Sequence, residues 1–134
     1  MAPYLGNLAY VYTRLGMNAE AKSRLDLAFA TMEGTGEVWI EPELLRLRAA
    51  VELALHPKAD AGELTLWTAL EKARVLGAAG FELRVLCDLA EQLIPQHRHL
   101  EIRDRIEHAL GALQEGFQTL DVRRARGLLQ QCAA

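Results

Sequence analysis

Four histidines and two cysteines are the side chains best suited to chemistry, and only the histidines come close to a recognisable pattern. His97 and His99 flank Arg98 at a junction between two predicted helices, and with His108 or Glu101 they could hold a metal ion. A single His-x-His pair is a weak metal signal, because protein metal sites usually combine three or four ligands at characteristic spacings. No Cys-x-x-Cys or His-Glu-x-x-His motif accompanies the pair. We therefore interpret these histidines as solvated loop residues, and we expect no metal and no other cofactor.

The cysteines and carboxylates give no catalytic arrangement either. A reactive thiol needs a nearby base or a helix N-terminus to lower its pKa, whereas Cys87 lies in mid-helix between Leu86 and Leu89. Cys132 lies near the C-terminus, and we expect both thiols to be reduced, as is usual in cytoplasmic proteins. No pair of carboxylates stands out for acid–base work. The sequence thus predicts no catalytic residue, and we expect that the protein is not an enzyme.

The charge balance argues against nucleic acid and membrane as partners. The chain has 134 residues with 15 basic and 18 acidic side chains, and hence a net charge of −3. Arg123, Arg124 and Arg126 form a basic cluster, but no basic excess draws the whole chain to a polyanion. No uncharged apolar run approaches the roughly 18 residues that a membrane-spanning helix requires. No basic segment precedes an apolar core as in a signal peptide, and we expect a cytoplasmic location.

The apolar periodicity predicts an all-α protein without strands. The third predicted helix is apolar on most of its circumference, which is typical of a helix packed on several sides. Asn18 is a candidate N-cap of the second helix, and Thr119 begins the last one. The helical segments cover about residues 4–15, 18–32, 41–56, 60–76, 81–94, 100–114 and 119–131.

An internal repeat links the two ends of the chain. Every residue of a first set of apolar and small residues has a counterpart 81 positions later, as Ala9 has in Ala90. His97, which stands where the first set has Gly16, is the one position of the second set that is neither apolar nor small. Alanines at helix crossings allow the two helices of a hairpin to approach closely. A single helix hairpin of this kind cannot bury its apolar face alone, so we expect the hairpins to stack on one another. The first set is Leu5, Leu8, Ala9, Tyr12, Gly16, Ala21, Leu25 and Ala28, and the second is Leu86, Leu89, Ala90, Leu93, His97, Ile102, Ile106 and Ala109.

These residues carry a family resemblance. The stretch LAYVYTRLGMNAEAKSRLDLA resembles a tetratricopeptide repeat, a helix–turn–helix unit of about 34 residues. The stretches GEVWIEPELLRLRAAVELAL, LEKARVLGAAGFELRVLCDLA and EGFQTLDVRRARGLL resemble, in order and spacing, the C-terminal helical array of large bacterial ATPase-type signalling regulators. In that family an AAA-like module precedes the repeats, an adenylate/guanylate cyclase or DNA-binding domain often lies further upstream, and the repeats bind partners or sense a signal.

The resemblance implies a right-handed α-α solenoid of three helix hairpins and a capping helix. We expect one domain, residues 1–134, with repeats at about residues 2–35, 36–82 and 83–116 and the capping helix at about 119–131. No GxxxxGK[ST] motif and no cyclase pattern is present. We therefore expect the chain to be the tail of such a regulator or a stand-alone relic of one.

A concave helical surface is the expected site of partner binding. By helical spacing, Tyr10, Thr13 and Arg14 should face it from the first helix, and Arg84, Cys87 and Glu91 from the fifth. Trp39 and Trp67 are expected in the core or as wedges between hairpins. The sequence thus favours a non-catalytic module that binds a protein or peptide. Two alternatives remain open: a structural module that forms a homodimer through its N-terminal edge, and a small-molecule sensor with a pocket in the array.

Overall fold

The computed structural model describes residues 8–9, 11–12, 14–113 and 119–133. This part of the chain contains no strand, so the all-α prediction is confirmed. Short 3-10 turns, Val38–Ile40 and Ile94–Gln96, precede the second and fifth helices. The α-helices are α1 Asn18–Thr35, α2 Glu41–Leu55, α3 Ala61–Leu76, α4 Ala79–Leu93, α5 Leu100–Ala112 and α6 Leu120–Ala133.

A further helical segment lies ahead of α1. Leu8, Ala9, Val11, Tyr12 and Arg14 are helical, as the predicted first helix requires. All seven predicted segments are therefore represented among the described residues.

Of the two residues predicted to begin helices, one caps its helix and the other does not. The prediction that Asn18 caps α1 is wrong, because α1 begins at Asn18 itself and Met17 occupies the cap position without a side-chain cap. The Oδ1 atom of Asn18 is buried and accepts no hydrogen bond from any described residue. Thr119 does cap α6, since its Oγ1 accepts a hydrogen bond from the Val122 N–H at 3.3 Å.

The contacts divide the chain into two compact units, one up to Lys72 and one from Ala73 onwards. In the first unit α2 lies between α1 and α3. Towards α1, the guanidinium of Arg48 lies 3.9 Å from the ring centre of Phe29. Towards α3, the Thr65 hydroxyl donates to Glu52 at 2.9 Å. Not one residue from Ile40 to Leu53 is exposed, which confirms that this helix packs on several sides. The prediction of a single domain stays a prediction.

Close approach in the first unit is visible at Gly62 on α3. A Cβ atom at this position would lie 2.5 Å from Leu53 Cγ and 3.3 Å from the Ala49 carbonyl oxygen of α2. The two helices therefore meet where one of them has no side chain, which fixes their contact at this point.

In the second unit α4 packs against both α5 and α6. Its apolar residues are buried on more than one face because each neighbouring helix covers a different side. The buried residues of α4 are Leu83, Val85, Leu86, Cys87, Leu89, Ala90 and Leu93.

The small residues of the repeat lie in the interior, as predicted. Ala9, Ala28 and Ala90 are completely buried, and Ala109 is 7% exposed. Alanine at these places leaves room for the neighbouring helix, whose larger side chains then fill the remaining space.

The repeat also extends to the backbone of the turns. Gly16 and His97 both have left-handed conformations, with φ of 75° and 59°. The N–H of the following residue donates to a backbone carbonyl five residues earlier in both turns: Met17 to Tyr12 at 2.8 Å, and Arg98 to Leu93 at 3.0 Å. This is the helix-ending geometry that glycine normally provides. His97 thus adopts the backbone conformation of the glycine that it replaces in the repeat.

We expect the substitution His97→Gly to stabilise the protein. The left-handed conformation costs a non-glycine residue about 1–2 kcal/mol, and the greater freedom of glycine in the unfolded chain offsets about 0.5–1 kcal/mol of the gain. The expected increase in the free energy of unfolding is therefore about 0.5–1 kcal/mol, measured by urea denaturation. The matched control is His108→Gly at an exposed position of α5, which should lose about 0.3–0.5 kcal/mol. Equal losses for both variants would contradict this interpretation of the turn.

Candidate partner-binding surfaces

Of the three residues of the first predicted helix that are expected to contact a partner, the structure describes only one. Arg14 is exposed. Tyr10 and Thr13 lie outside the described residues, so their predicted role stays a prediction.

The other three predicted residues lie on the side of α4 that α6 covers. Arg84 Nε lies 3.0 Å from Asp121 Oδ2 of α6. In the opposite direction, Arg124 of α6 reaches Glu91 at 2.9 Å and Asp88 at 2.7 Å. The charged groups of this surface are thus matched within the chain.

Arg124 is the centre of this network. Burial opposes its charged form, but hydrogen bonds and charge from Asp88 and Glu91 outweigh burial and raise the pKa of Arg124 above its ordinary value. Two carboxylates of α4 thus hold this arginine of α6 in a fixed position against α4. The network therefore fixes where α6 docks.

Cys87 lies beneath the same helix and is completely buried. Its Sγ atom is 4.0 Å from the carbonyl oxygen of Asp121. Burial raises the pKa of Cys87 to about 11, although the charge of Arg124 partly opposes the increase. A protonated, inaccessible thiol is neither a nucleophile nor a contact for an outside partner while α6 is in place.

The histidines and their neighbours do not converge. Among the residues that the structure describes, no three His, Cys, Asp or Glu side chains are close enough together to hold a metal ion. Glu101, one of the considered ligands, instead accepts a hydrogen bond from Arg98 Nε at 2.6 Å, and this bond lowers the pKa of Glu101.

An open cleft between α1 and α2 is the strongest candidate site in the first unit. It encloses about 200 Å³. Leu25 and Val51 form its buried floor, and Leu55 is a partly exposed apolar wall. The remaining lining residues are charged or titratable: Lys22, Asp26, Arg48, Glu52 and His56.

Two of the charged side chains around the cleft are held in place. Arg48 lies against the ring of Phe29 and approaches Asp26 Oδ1 at 3.8 Å. Glu52 accepts the hydroxyl hydrogen bond of Thr65 from α3. An apolar floor with positioned charges at its border is suited to recognising a side chain that is apolar at its tip.

Only a faint signal for this cleft is present in the sequence. Leu25 belongs to the repeat, but Val51 and Leu55 belong to a helix whose faces are almost equally apolar. Periodicity could therefore not show which face of α2 meets α1. The spacing of Phe29 and Asp26 on one side of α1 was the only local hint of a docking place for an arginine.

A second, shallower groove of about 320 Å³ lies between α5 and α6. Arg103 and Glu107 on its α5 side approach each other at 3.6 Å, and Arg126 and Leu129 line the α6 side. Most of the residues that line this groove are charged or polar, and none of them is buried, so the groove has no apolar floor.

The tryptophans are not both interior. Trp67 is half-buried, and its indole N–H donates to Glu63 at 3.1 Å. The prediction of a core or wedge position is wrong for Trp39, which is 52% exposed. The reason is local: Trp39 lies in the 3-10 turn before α2, and its neighbour Ile40 takes the buried position.

No protein-family model matches the chain, and no curated protein and no solved structure shows significant similarity to it. In the described part of the chain, no helix has the length and apolar character needed to cross a membrane. The resemblance to the repeat array of ATPase-type regulators therefore stays a prediction.

The buried thiol of Cys87 makes stability depend on pH in a defined window. Its pKa rises from 9.0 to about 11 on folding, so the native state keeps the proton more tightly than the unfolded state does. The contribution is complete below pH 9 and is lost as the pH rises towards 11. We expect the wild type to lose about 2–3 kcal/mol relative to Cys87→Ala across this window. Urea unfolding of both proteins from pH 7.5 to 11 measures the difference, and parallel pH profiles would contradict it.

Proposed function

We propose that the chain is a non-catalytic protein-interaction module whose cleft between α1 and α2 receives an apolar side chain of a partner. The observation that supports this most strongly is the composition of the cleft: a buried apolar floor surrounded by charged residues of both signs. Interaction hot spots have this arrangement, because the pocket excludes water while the border gives orientation.

The size of the cleft supports a side chain as its ligand. About 200 Å³ is less than the roughly 300–1,000 Å³ of typical small-molecule pockets. Leucine or an aromatic side chain would bury its apolar part against Leu25 and Val51. No described residue that is buried is polar or charged, so specificity in this proposal comes from the charged border.

The border favours a partner with charges next to its apolar anchor. Lys22 and Arg48 offer positive charge, while Asp26 and Glu52 offer negative charge. Because these residues lie on two different helices, they constrain the direction in which a peptide can cross the cleft. Such charges contribute more to specificity and association rate than to affinity.

The wider assignment is part of the same proposal. The residue resemblance is the basis for a tetratricopeptide-like right-handed solenoid and for a place as the C-terminal region of a bacterial ATPase-type regulator. The cytoplasmic location is based on the expectation that both cysteines are reduced. The equivalent turns at Gly16 and His97 support the repeat on which that resemblance depends.

Self-association is a second candidate function, favoured by exposed apolar residues near the start of the described chain. Val11 and Leu15 lie four residues apart, on the same side of the first helical segment, and Met17 follows them. A second copy could cover these side chains, and light scattering over a range of concentrations distinguishes this dimer from a monomeric binding module.

We expect the substitution Leu55→Glu to abolish partner binding without unfolding the protein. Leu55 is a partly exposed wall of the cleft, so a carboxylate there should repel an apolar anchor at little cost to the core. A phage-displayed peptide library selected on the wild type provides the ligands. The expected peptides share one large apolar residue with flanking charges and lose at least about tenfold in affinity for Leu55→Glu.

The matched control is Leu64→Glu, which places the same charge at an exposed leucine of α3 outside the cleft. Selected peptides should bind this variant as tightly as they bind the wild type. Peptides without a common apolar anchor, or equal binding to both variants, would contradict the proposal.

A further inference from the structure

Two large apolar side chains point into solvent at the end of the α1–α2 pair opposite the cleft. The cleft is lined by the first half of α1 and the second half of α2, whereas the 3-10 turn Val38–Ile40 joins the other ends of these helices. Within this turn Val38 is 56% exposed and Trp39 is 52% exposed. The pair thus forms an apolar surface separate from the proposed cleft.

The turn that carries this pair is held by hydrogen bonds at both ends. Gly36 ends α1 in the left-handed conformation, with φ of 75°, and its N–H donates to the Met32 carbonyl at 2.8 Å. The Ile40 N–H donates to the Glu37 carbonyl at 3.3 Å, and the Ile40 side chain is buried. A fixed turn presents Trp39 without the entropic cost of ordering a loop on binding.

Trp39 differs from Trp67 in the hydrogen bonding of its indole N–H and in the exposure of its ring. The indole N–H of Trp67 is satisfied by Glu63. No described residue accepts a hydrogen bond from Trp39 Nε1, so its ring and its donor are both available. Exposed tryptophans with a free donor are among the side chains most enriched at interaction hot spots.

The chain segment around the pair carries charges of one sign only. From Leu25 to Leu45 the chain has five carboxylates and no lysine, arginine or histidine. Three of the carboxylates are matched by basic groups from elsewhere. The matched pairs are Arg48 with Asp26, Lys72 with Glu41, and Arg46 with Glu43.

Glu33 and Glu37 remain without a basic partner among the described residues, and they lie within six residues of Trp39 on its N-terminal side. Glu37 accepts only the Thr35 hydroxyl, at 2.8 Å. The last turn of α1 contains no basic residue, so the negative end of its dipole is not compensated either. The electrostatic field at the turn therefore favours a cationic partner.

We propose that Val38 and Trp39 form a docking surface for a basic, apolar segment of a partner protein. Apolar side chains of that segment cover the indole, and its lysine or arginine side chains pair with Glu33 and Glu37. The acidic surroundings repel polyanions, so nucleic acids and anionic lipid surfaces do not fit here. This surface does not depend on the cleft between α1 and α2, and either could exist without the other.

Three short synthetic peptides test the proposal by titration calorimetry on the wild type. The first alternates leucine and arginine pairs, the second replaces arginine by glutamate, and the third replaces leucine by serine. We expect only the first to bind, with an affinity that falls as salt concentration rises. In the variant Trp67→Phe, where Trp39 is the remaining tryptophan, the same peptide should shift the emission to shorter wavelength.

Two variants locate the binding. Trp39→Ala should weaken the first peptide about tenfold or more, and Glu37→Gln with Glu33→Gln should weaken it and flatten the salt dependence. Leu64→Ala, which removes an exposed leucine elsewhere, should change nothing. Thermal unfolding monitored by circular dichroism checks that each variant is folded.

Four results would overturn the inference. Failure of the first peptide to bind removes the proposed partner chemistry. Equal binding of the serine peptide would show that only charge, and no apolar contact, contributes to binding. Unchanged binding of the first peptide to Trp39→Ala would show that the peptide binds at another surface. A concentration-dependent dimer of the free protein that Trp39→Ala abolishes would assign the surface to a second copy of the chain and not to a basic partner.

Discussion

The packing of this protein depends on side chains no larger than alanine at the places where helices cross. In the first unit Ala9 of the leading helical segment and Ala21 of α1 share one buried cluster with Leu25, Leu47 and Val51. In the second unit Ala90, the counterpart of Ala9 in the repeat, and Ala109, the counterpart of Ala28, are also buried. Helices can approach closely only where the intervening side chains are this small. The leucines and isoleucines beside them then fill the remaining space, and the short turns follow from the close spacing of the helices.

Local features of the sequence were enough to predict the helices and their turns. Pro42 with its acidic neighbours placed the start of α2, and that helix begins at Glu41. The apolar circumference of α2 indicated burial on several sides, and the repeat indicated that His97 replaces a glycine. Each of these inferences depends on residues close together in the chain, where propensity and steric limits act directly.

Features that depend on which helix faces meet could not be predicted in the same way. Cys87 was assigned to an open surface because its position on α4 is defined by period alone, whereas the structure covers that side with α6. The row Val122, Ala125, Leu128 and Cys132 has the right spacing for such a contact, but spacing does not identify the partner helix. The cleft between α1 and α2 was missed for the same reason. The errors at Asn18 and Trp39 came from single-residue tendencies that the surrounding structure overrode.

The two units use their charged residues differently, and this difference organises the proposed function. Between α4 and α6, Arg84 pairs with Asp121, and Arg124 pairs with carboxylates of α4. Around the α1–α2 pair, charged side chains border an apolar cleft at one end and an exposed tryptophan at the other. In the two proposals, the cleft would receive an apolar side chain of a partner, and the exposed tryptophan would be covered by apolar side chains of a basic segment.

The free energy of unfolding of Ala21→Leu, compared with that of Ala30→Leu, tests the packing claim most directly. Both alanines lie in α1, but Ala21 is buried between helices and Ala30 is exposed. A larger side chain at the crossing should force the helices apart and cost about 1–3 kcal/mol, whereas the exposed change should stay within about 0.5 kcal/mol. Urea denaturation measures both values. Equal stability of the two variants would contradict the claim that alanine at the crossing determines how these helices pack.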